Sequence, residues 1–264
     1  MRLNRNEIYK DLERRYFSEQ MDEAAEIRAF PNQVKGAKVF LDVGAAIGQY
    51  TKTANDQMEN GRIFAFEGDP VRFERLQENC AQWEKDSTNK ITAVHAAVCD
   101  RDELISFMTP ENHLCSGGLF IPGMPDQIKG QDNWLKLSIP GISLDTFCEK
   151  NQLTPDLVKM DIEGAEYGAL IGAKNILKTQ RCRFLIEVHP WGDLTAKKKP
   201  VDVFNLFAEY DYDFKRVERH WHFELAVNKY MAKIKNAGIN IVFNNPLLLN
   251  LSKGVMAKYF LNKR

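Results

Sequence analysis

Apolar and polar positions divide the chain into short buried runs separated by amphipathic stretches. Val39–Val43 is apolar apart from Asp42, the mark of a strand covered on both faces. Arg62–Glu67, Lys90–His95, residues 155–160 and residues 183–189 repeat the pattern. Helical spacing fills the intervals: a helix from Pro70 turns Phe73, Leu76 and Cys80 inward with Trp83 capping its far end, and another follows the fourth strand through about Lys178. Strands alternating with helices predict an α/β fold built on a parallel sheet. Upstream, Ile8, Leu12, Tyr16, Phe17, Met21 and Ala24 recur at helical spacing between charged residues. They predict one or two helices packed on the main domain, ended by Phe30-Pro31, with a polar loop over residues 32–38. The chain therefore divides into an N-terminal helical extension, 1–35, and a main domain, 36–264.

The rhythm breaks over residues 101–142. Residues 104–108 form an extra strand, and residues 135–139 alternate like a strand returning to the sheet. Between them lies a long loop carrying His113, Ser116, Gly117, Gly118, Pro122, Gly123 and Pro125, read as a substrate lid with Trp134 as a wall. Beyond the fifth strand, residues 201–207 are helical and 212–219 form a strand. A helix over 223–236 then leads to a final strand at 239–243.

The junctions carry the chemistry. Gly44 and Gly48 follow the first strand and open a helix, the corner at which backbone N–H groups and a helix start receive a nucleotide. Asp42 ends the strand beside that ligand. Ala46 stands where dinucleotide enzymes have the middle glycine of G-x-G-x-x-G, which weakens an oxidoreductase reading. One unit later Glu67 ends the second strand, near the roughly 20-residue spacing of an acid that accepts from a ribose diol. Asp69 and Pro70 are the N-cap and first residue of the next helix. Main chain at Ala97, with Asp100 nearby, lines an adenine pocket, and His95 is a core-edge histidine.

Asp161 stands at the tip of the fourth strand, where open parallel sheets bind ligands. Glu163 and Glu166 fall in the first turn of the following helix. Dipole capping suffices for Glu166, whereas Glu163 divides between cap and ligand. Glu187 and His189 share one side of the fifth strand. Adjacent strands lie about 4.8 Å apart, so these tips can share one ligand as a proton-transfer site or a cation site. His220-Trp-His222 lacks a third metal ligand in sequence, and the 197–199 lysine run reads as a solvated loop.

Charge narrows the partners. Thirty-six basic and 36 acidic residues cancel, so no global field favours nucleic acid or an anionic membrane. No apolar run is long enough to span a bilayer. Five scattered cysteines with no C-x-x-C pair indicate reduced thiols and a cytoplasmic location.

Taken together, the D-V-G-A-A-I-G run at 42–48, I-S-L-D-T-F at 142–147, K-M-D-I-E-G-A-E at 159–166 and E-V-H-P at 187–190 resemble the FkbM-type family of S-adenosylmethionine-dependent methyltransferases. The resemblance covers about residues 36–245 and implies a class I methyltransferase (Rossmann-like) fold. Such a fold is a seven-stranded, mostly parallel sheet of order 3-2-1-4-5-7-6, with helices on both faces. It assigns Asp42, Gly44 and Gly48 to the cofactor corner, Glu67 to the ribose, and Asp161 to the neighbourhood of the methyl group.

The expected activity is transfer of a methyl group from S-adenosyl-L-methionine to a hydroxyl oxygen of a sugar or glycosylated small molecule. His189 is the expected base, because unperturbed imidazole titrates near neutrality, and Asp161 is the alternative base or an orienting group. A divalent cation on Asp161, Glu187 and His189 is the competing arrangement; the metal-free one is expected. Trp134 and Trp191 offer flat apolar faces and Asp161, Glu163, Glu187 and His189 polar edges, a mixture that suits a carbohydrate ring. The strand-four tip lacks an N-P-P-Y pattern, which argues against methylation of nucleic-acid bases. A non-catalytic small-molecule sensor that kept the fold is the reading from another class. The sequence leaves room for a homo-oligomer.

Overall fold

A computed structural model of the chain describes residues 5–17, 25–111, 118–119, 134–189, 192–193, 195–216 and 257–263. In chain order its strands are β1 (Val39–Val43), β2 (Arg62–Glu67), β3 (Lys90–His95), β4 (Ala97–Val98), β5 (Leu104–Pro110) and β6 (Gly118–Leu119). They continue as β7 (Trp134–Ile142), β8 (Leu157–Met160), β9 (Arg183–Val188), β10 (Tyr212–Arg216) and β11 (Ala257–Lys263). The helices are α1 (Arg5–Tyr16), α2 (Ala25–Val34), α3 (Gln49–Gln57), α4 (Pro70–Glu84), α5 (Leu144–Lys150), α6 (Glu166–Ile171), α7 (Lys174–Thr179) and α8 (Pro200–Glu209).

The main sheet runs β10-β11-β9-β8-β1-β2-β3. Strands β3, β2, β1, β8 and β9 are parallel, and β11 and β10 close one side antiparallel. Strand order reverses between β1 and β8, so their carboxyl ends open the crevice typical of such sheets. Alternation along β1 builds a core on each face. Val39, Leu41 and Val43 join Leu144 and Phe147 of α5, Leu170 of α6 and Phe207 of α8. Phe40 joins Phe30 and Val34 of α2, Tyr50 of α3 and Leu76 of α4. Counted along the chain within this sheet, the order is the 3-2-1-4-5-7-6 that the resemblance implies, an α/β sheet with helices on both sides.

Several expectations are revised. Pro31 lies inside α2, which runs to Val34 instead of stopping at Phe30. Only the first turn of a helix is indifferent to a missing N–H, and buried Phe30 and Val34 keep this one packed beyond the proline. Strand β7 does not return to the main sheet. It pairs antiparallel with β5 along its length and parallel with β4, in a separate sheet of order β4-β7-β5-β6. The helix after β8 is two short helices broken at Gly172 and Ala173. Trp83 is within α4, against Gly48, and Phe17 meets its ring edge-on. The strand between β9 and β10 is Ala257–Lys263, outside the resemblance. Residues 239–243, the predicted 223–236 helix, His220 and His222, Met21 and Ala24, Cys115, and most of the predicted lid lie outside the described residues. The four described cysteines are buried free thiols. No helix among the described residues is long and apolar enough to cross a membrane.

The N-terminal helices pack near the glycine corner. Ile8 and Leu12 of α1 bury against Ile47 and Val71, and Glu13 pairs with Arg75 of α4. Asp69 caps α4 through Oδ1, which accepts from Val71 and Arg72 N–H at 2.9 and 3.0 Å.

Two glycines distinguish close packing from conformational freedom. Gly44 and Gly36 both have positive φ, +76° and +79°. A Cβ at 44 would stand 1.9 Å from the Asp161 carbonyl oxygen, whereas nothing lies within 4 Å of one at 36. Gly36→Ala should therefore cost about 1–2 kcal/mol, the left-handed penalty alone. Gly44→Ala should cost about 3 kcal/mol or more, because a backbone clash is added. Urea-denaturation midpoints of the two variants check the difference.

Candidate functional site

The turn after β1 folds back on β2. Gly44 and Ala45 N–H both donate to Phe66 O, Ala46 N–H to Glu67 Oε2 at 2.9 Å, and Gly48 N–H to Ala45 O. These four amides are used within the protein, so the corner does not receive a ligand on them in the way the glycine spacing predicts. The glycines serve close packing instead. Gly44 admits the Asp161 carbonyl, and a Cβ at Gly48 would press on Trp83 and Leu76.

Asp42 is fully buried and does not face a ligand. Alternation directs it toward α3, where it accepts from Thr51 Oγ1 at 2.7 Å. Its register partner on β8 is Lys159. The Lys159 ammonium is 3.5 Å from Asp42 Oδ1, donates to Gly44 O at 2.6 Å and lies over the Tyr50 ring. Lys159 has no role in the sequence reading; its buried place under the turn depends on a strand pairing that sequence does not display.

Glu67 is buried at the tip of β2, beside the turn. Oε2 holds Ala46 N–H and Oε1 holds Asp69 N–H at 2.8 Å, which leaves a second lone pair on each oxygen. Burial pushes its pKa up to about 7 against the opposing charge of Arg72 and the two amide bonds, with Asp69 adding to the rise. Gln49 begins α3 directly after the turn, and its side-chain Nε2 is buried without a hydrogen-bond partner among the described residues. Ala97 is half-buried in β4 and pairs in register with Gly141. His95 is a core-edge residue, stacked on Phe73 at 4.6 Å with Nε2 3.1 Å from Gly68 O.

The small sheet covers the β2 tip. Phe107 and Ile139 pack on Gly68, and the Thr109 hydroxyl donates to Asp69. Trp134 is not in a loop; it starts β7, half-buried and opposite Pro110. Trp191 lies outside the described residues.

Asp161 extends past β8, its N–H bonded to Val43 O at 3.0 Å, which fastens the tip of β8 to that of β1. Glu163 is not in the first helical turn. It precedes α6 in the left-handed region at φ 57°, a conformation that costs a non-glycine residue about 1–2 kcal/mol. The turn brings Asp161 and Glu163, each with a side chain 28% exposed, to the fully buried imidazole of His189. His189 Nε2 is 3.3 Å from Glu163 Oε2 and 3.9 Å from Asp161 Oδ1. Glu166, 1% exposed, accepts from His189 Nδ1 at 2.8 Å and from Gly164 N–H at 3.0 Å. Capping is thus only part of its work. The E-G-A-E run held the signal: an acid one turn beyond Glu163, able to face back toward the same tip. Glu187 does not join this group. It is buried within β9, in register with Lys258 of β11, and its strand runs on through Val188 before the chain turns at His189.

This environment favours the charged form of His189, the base expected from sequence. Burial opposes its charge, but hydrogen bonds to Glu163 and Glu166 and their negative charge outweigh burial and raise its pKa to about 11. The raised folded value also fixes the sign of the linkage. His189 contributes stability in full below its unfolded value of 6.5, and that contribution is lost as pH rises toward 11. In chelator-treated protein the ring ¹⁵N shifts of His189 should remain those of the charged form up to about pH 9. A midpoint near 6.5 would show that the acids do not hold the proton.

Solved structures are similar to this chain at low identity. Methyltransferase FkbM from Methylobacillus flagellatus KT is 17% identical with a TM-score of 0.46, over 69% of this chain and 40% of that one. Aeropyrum pernix fibrillarin with natively bound S-adenosyl-L-methionine is 12% identical with a TM-score of 0.43, over 87% and 68%. Magnesium protoporphyrin IX methyltransferase from Synechocystis PCC 6803 with bound S-adenosyl-L-methionine is 8% identical with a TM-score of 0.45, over 98% and 85%. The chain thus spans well under half the length of the FkbM methyltransferase. No curated protein matches this sequence. Residues 42–214, from the glycine turn through the strand tips and into β10, match the Methyltransferase FkbM domain, and the chain belongs to that family.

Proposed function

We propose that the chain transfers a methyl group from S-adenosyl-L-methionine to a hydroxyl oxygen of a carbohydrate-like small molecule. The observation that carries this reading is the joined tips of β1 and β8, which put the partly exposed acids Asp161 and Glu163 next to the corner flanked by buried Glu67. The residues of the corner suit the cofactor. Glu67 keeps lone pairs for ribose hydroxyls, and the buried Gln49 amide at the start of α3 supplies a donor where a helix N-terminus favours a carboxylate. When bound, S-adenosyl-L-methionine supplies an electrophilic methyl group on a sulfonium.

The chain's own residues supply alignment and proton handling. Asp161 accepts the hydrogen bond of the acceptor hydroxyl and takes its proton as the oxygen attacks, a role worth about 10²–10⁴ in rate. Glu163 offers a second acceptor for a neighbouring hydroxyl. His189, charged and anchored by Glu166, holds both acids in place and is not itself the base. An acidic, partly exposed tip suits a polyhydroxylated acceptor over a polyanion. Trp134 is the proposed ring-stacking face. Trp134→Ala should then weaken acceptor use while leaving cofactor affinity within about twofold.

Calorimetry on the wild type tests the cofactor. Absence of S-adenosyl-L-methionine binding would sink the reading. Because hydroxyl donors favour ionised Glu67, affinity should climb by up to about tenfold per unit below pH 7 and level off above it. Glu67→Gln should lower affinity at least about tenfold and flatten this profile. Glu67→Ala should also lower thermal stability, since Ala46 and Asp69 N–H lose their acceptor.

A further inference from the structure

The tips of β8 and β9 bring together an imidazole and two carboxylates from different segments. One ring nitrogen of His189 and one oxygen each from Asp161 and Glu163 all lie within 4.8 Å of one another. Adjacent ligands of a single ion, at metal–ligand bonds of about 2.1 Å, stand roughly 3.0–3.5 Å apart. The 3.3 Å between His189 Nε2 and Glu163 Oε2 already has this spacing, and the 3.9 Å to Asp161 Oδ1 needs a shift of about half an ångström.

A second observation comes from outside the three ligands. Glu166, almost fully buried in the first turn of α6, takes the Nδ1 proton of His189 at 2.8 Å. This is how metal-bound histidines are oriented: a carboxylate on one ring nitrogen fixes the tautomer and aims the other at the ion. The ring is buried while the two acids are 28% exposed, so the arrangement has a closed side and an open side. Catalytic metal centres have this form, with protein ligands on one side and positions left for water or substrate on the other.

We infer that Asp161, Glu163 and His189 form a binding site for a divalent first-row transition ion, with Glu166 as the positioning residue of the histidine. Two carboxylates and one imidazole suit Mn²⁺ or Zn²⁺ better than Ca²⁺, which takes oxygen ligands alone. With the ion bound, Nε2 of His189 gives its lone pair to the metal while Nδ1 keeps its proton on Glu166, any second ring proton leaving to solvent. Resting on the methyltransfer reading above, the role of the ion is to hold the acceptor hydroxyl on its open side and lower its pKa, with Asp161 aligning the group. This replaces the metal-free site expected from sequence, and Glu163 takes the ligand position expected of Glu187.

The probe is Mn²⁺ alone, titrated into the full chain and followed by the EPR signal of the free ion. One ion per chain should bind with Kd below about 100 µM. Asp161→Asn with Glu163→Gln should abolish binding, and Glu166→Gln should weaken it about 10–100-fold with Asp161 and Glu163 intact. Absence of saturable binding, or equal binding by the double variant, would overturn the site. S-adenosyl-L-methionine binding is measured separately in chelator. A chain that binds the cofactor but not Mn²⁺ keeps the methyltransfer reading and loses the metal site. One that binds Mn²⁺ at these residues but not the cofactor keeps the site and loses the methyltransfer reading.

Discussion

The seam between β1 and β8 is the constraint on which the site depends. Val43 O takes the Asp161 N–H, Gly44 O takes the Lys159 ammonium, and the missing side chain at 44 leaves room for the Asp161 carbonyl. A lysine buried to 4% exposure is costly unless its charge is answered. Here Asp42, two backbone carbonyls and the Tyr50 face answer it, so the cation works as a peg under the glycine turn. The motif residues around it bind the protein to itself. That internal binding places Asp161 beside the corner.

Glu67 works the same way one strand over. Its two oxygens hold the turn after β1 and the start of α4, and Asp69, which it steadies, caps that helix and receives Thr109 from the small sheet. Cofactor corner, α4 and the covering sheet thus share one buried polar chain. Such networks are rigid when fully satisfied and costly when a member is removed. The acid proposed to meet the ribose is therefore also the acid that builds the wall around it.

At the β8 and β9 tips the balance of charge differs. Three carboxylates surround one imidazole, and Glu163 holds an unfavourable backbone angle to be among them. Strain kept at one residue of a polar cluster belongs to a functional site more often than to a scaffold. The Lys159 pocket is sealed, whereas the two acids of the His189 cage stay partly exposed.

Sequence alone was enough for β1, β2, β3, β8 and β9 as successive strands and for the N-cap at Asp69. Apolar runs, capping residues and strand ends are local features whose physics is written in a few consecutive residues. Tertiary structure decided the partners. Sequence placed Asp42 at a ligand, and pairing with β8 buried it against Lys159. It joined Glu187 to His189 by alternation, but alternation ends where the strand ends, and the chain turned His189 toward Glu163 and Glu166. It sent β7 to the main sheet, although β5 offered a longer antiparallel edge. It also assigned the seventh-strand role to residues 239–243, where β11 at Ala257–Lys263 pairs with β9 and β10. Each difference concerns groups far apart in sequence, whose meeting depends on register and packing that no local pattern encodes.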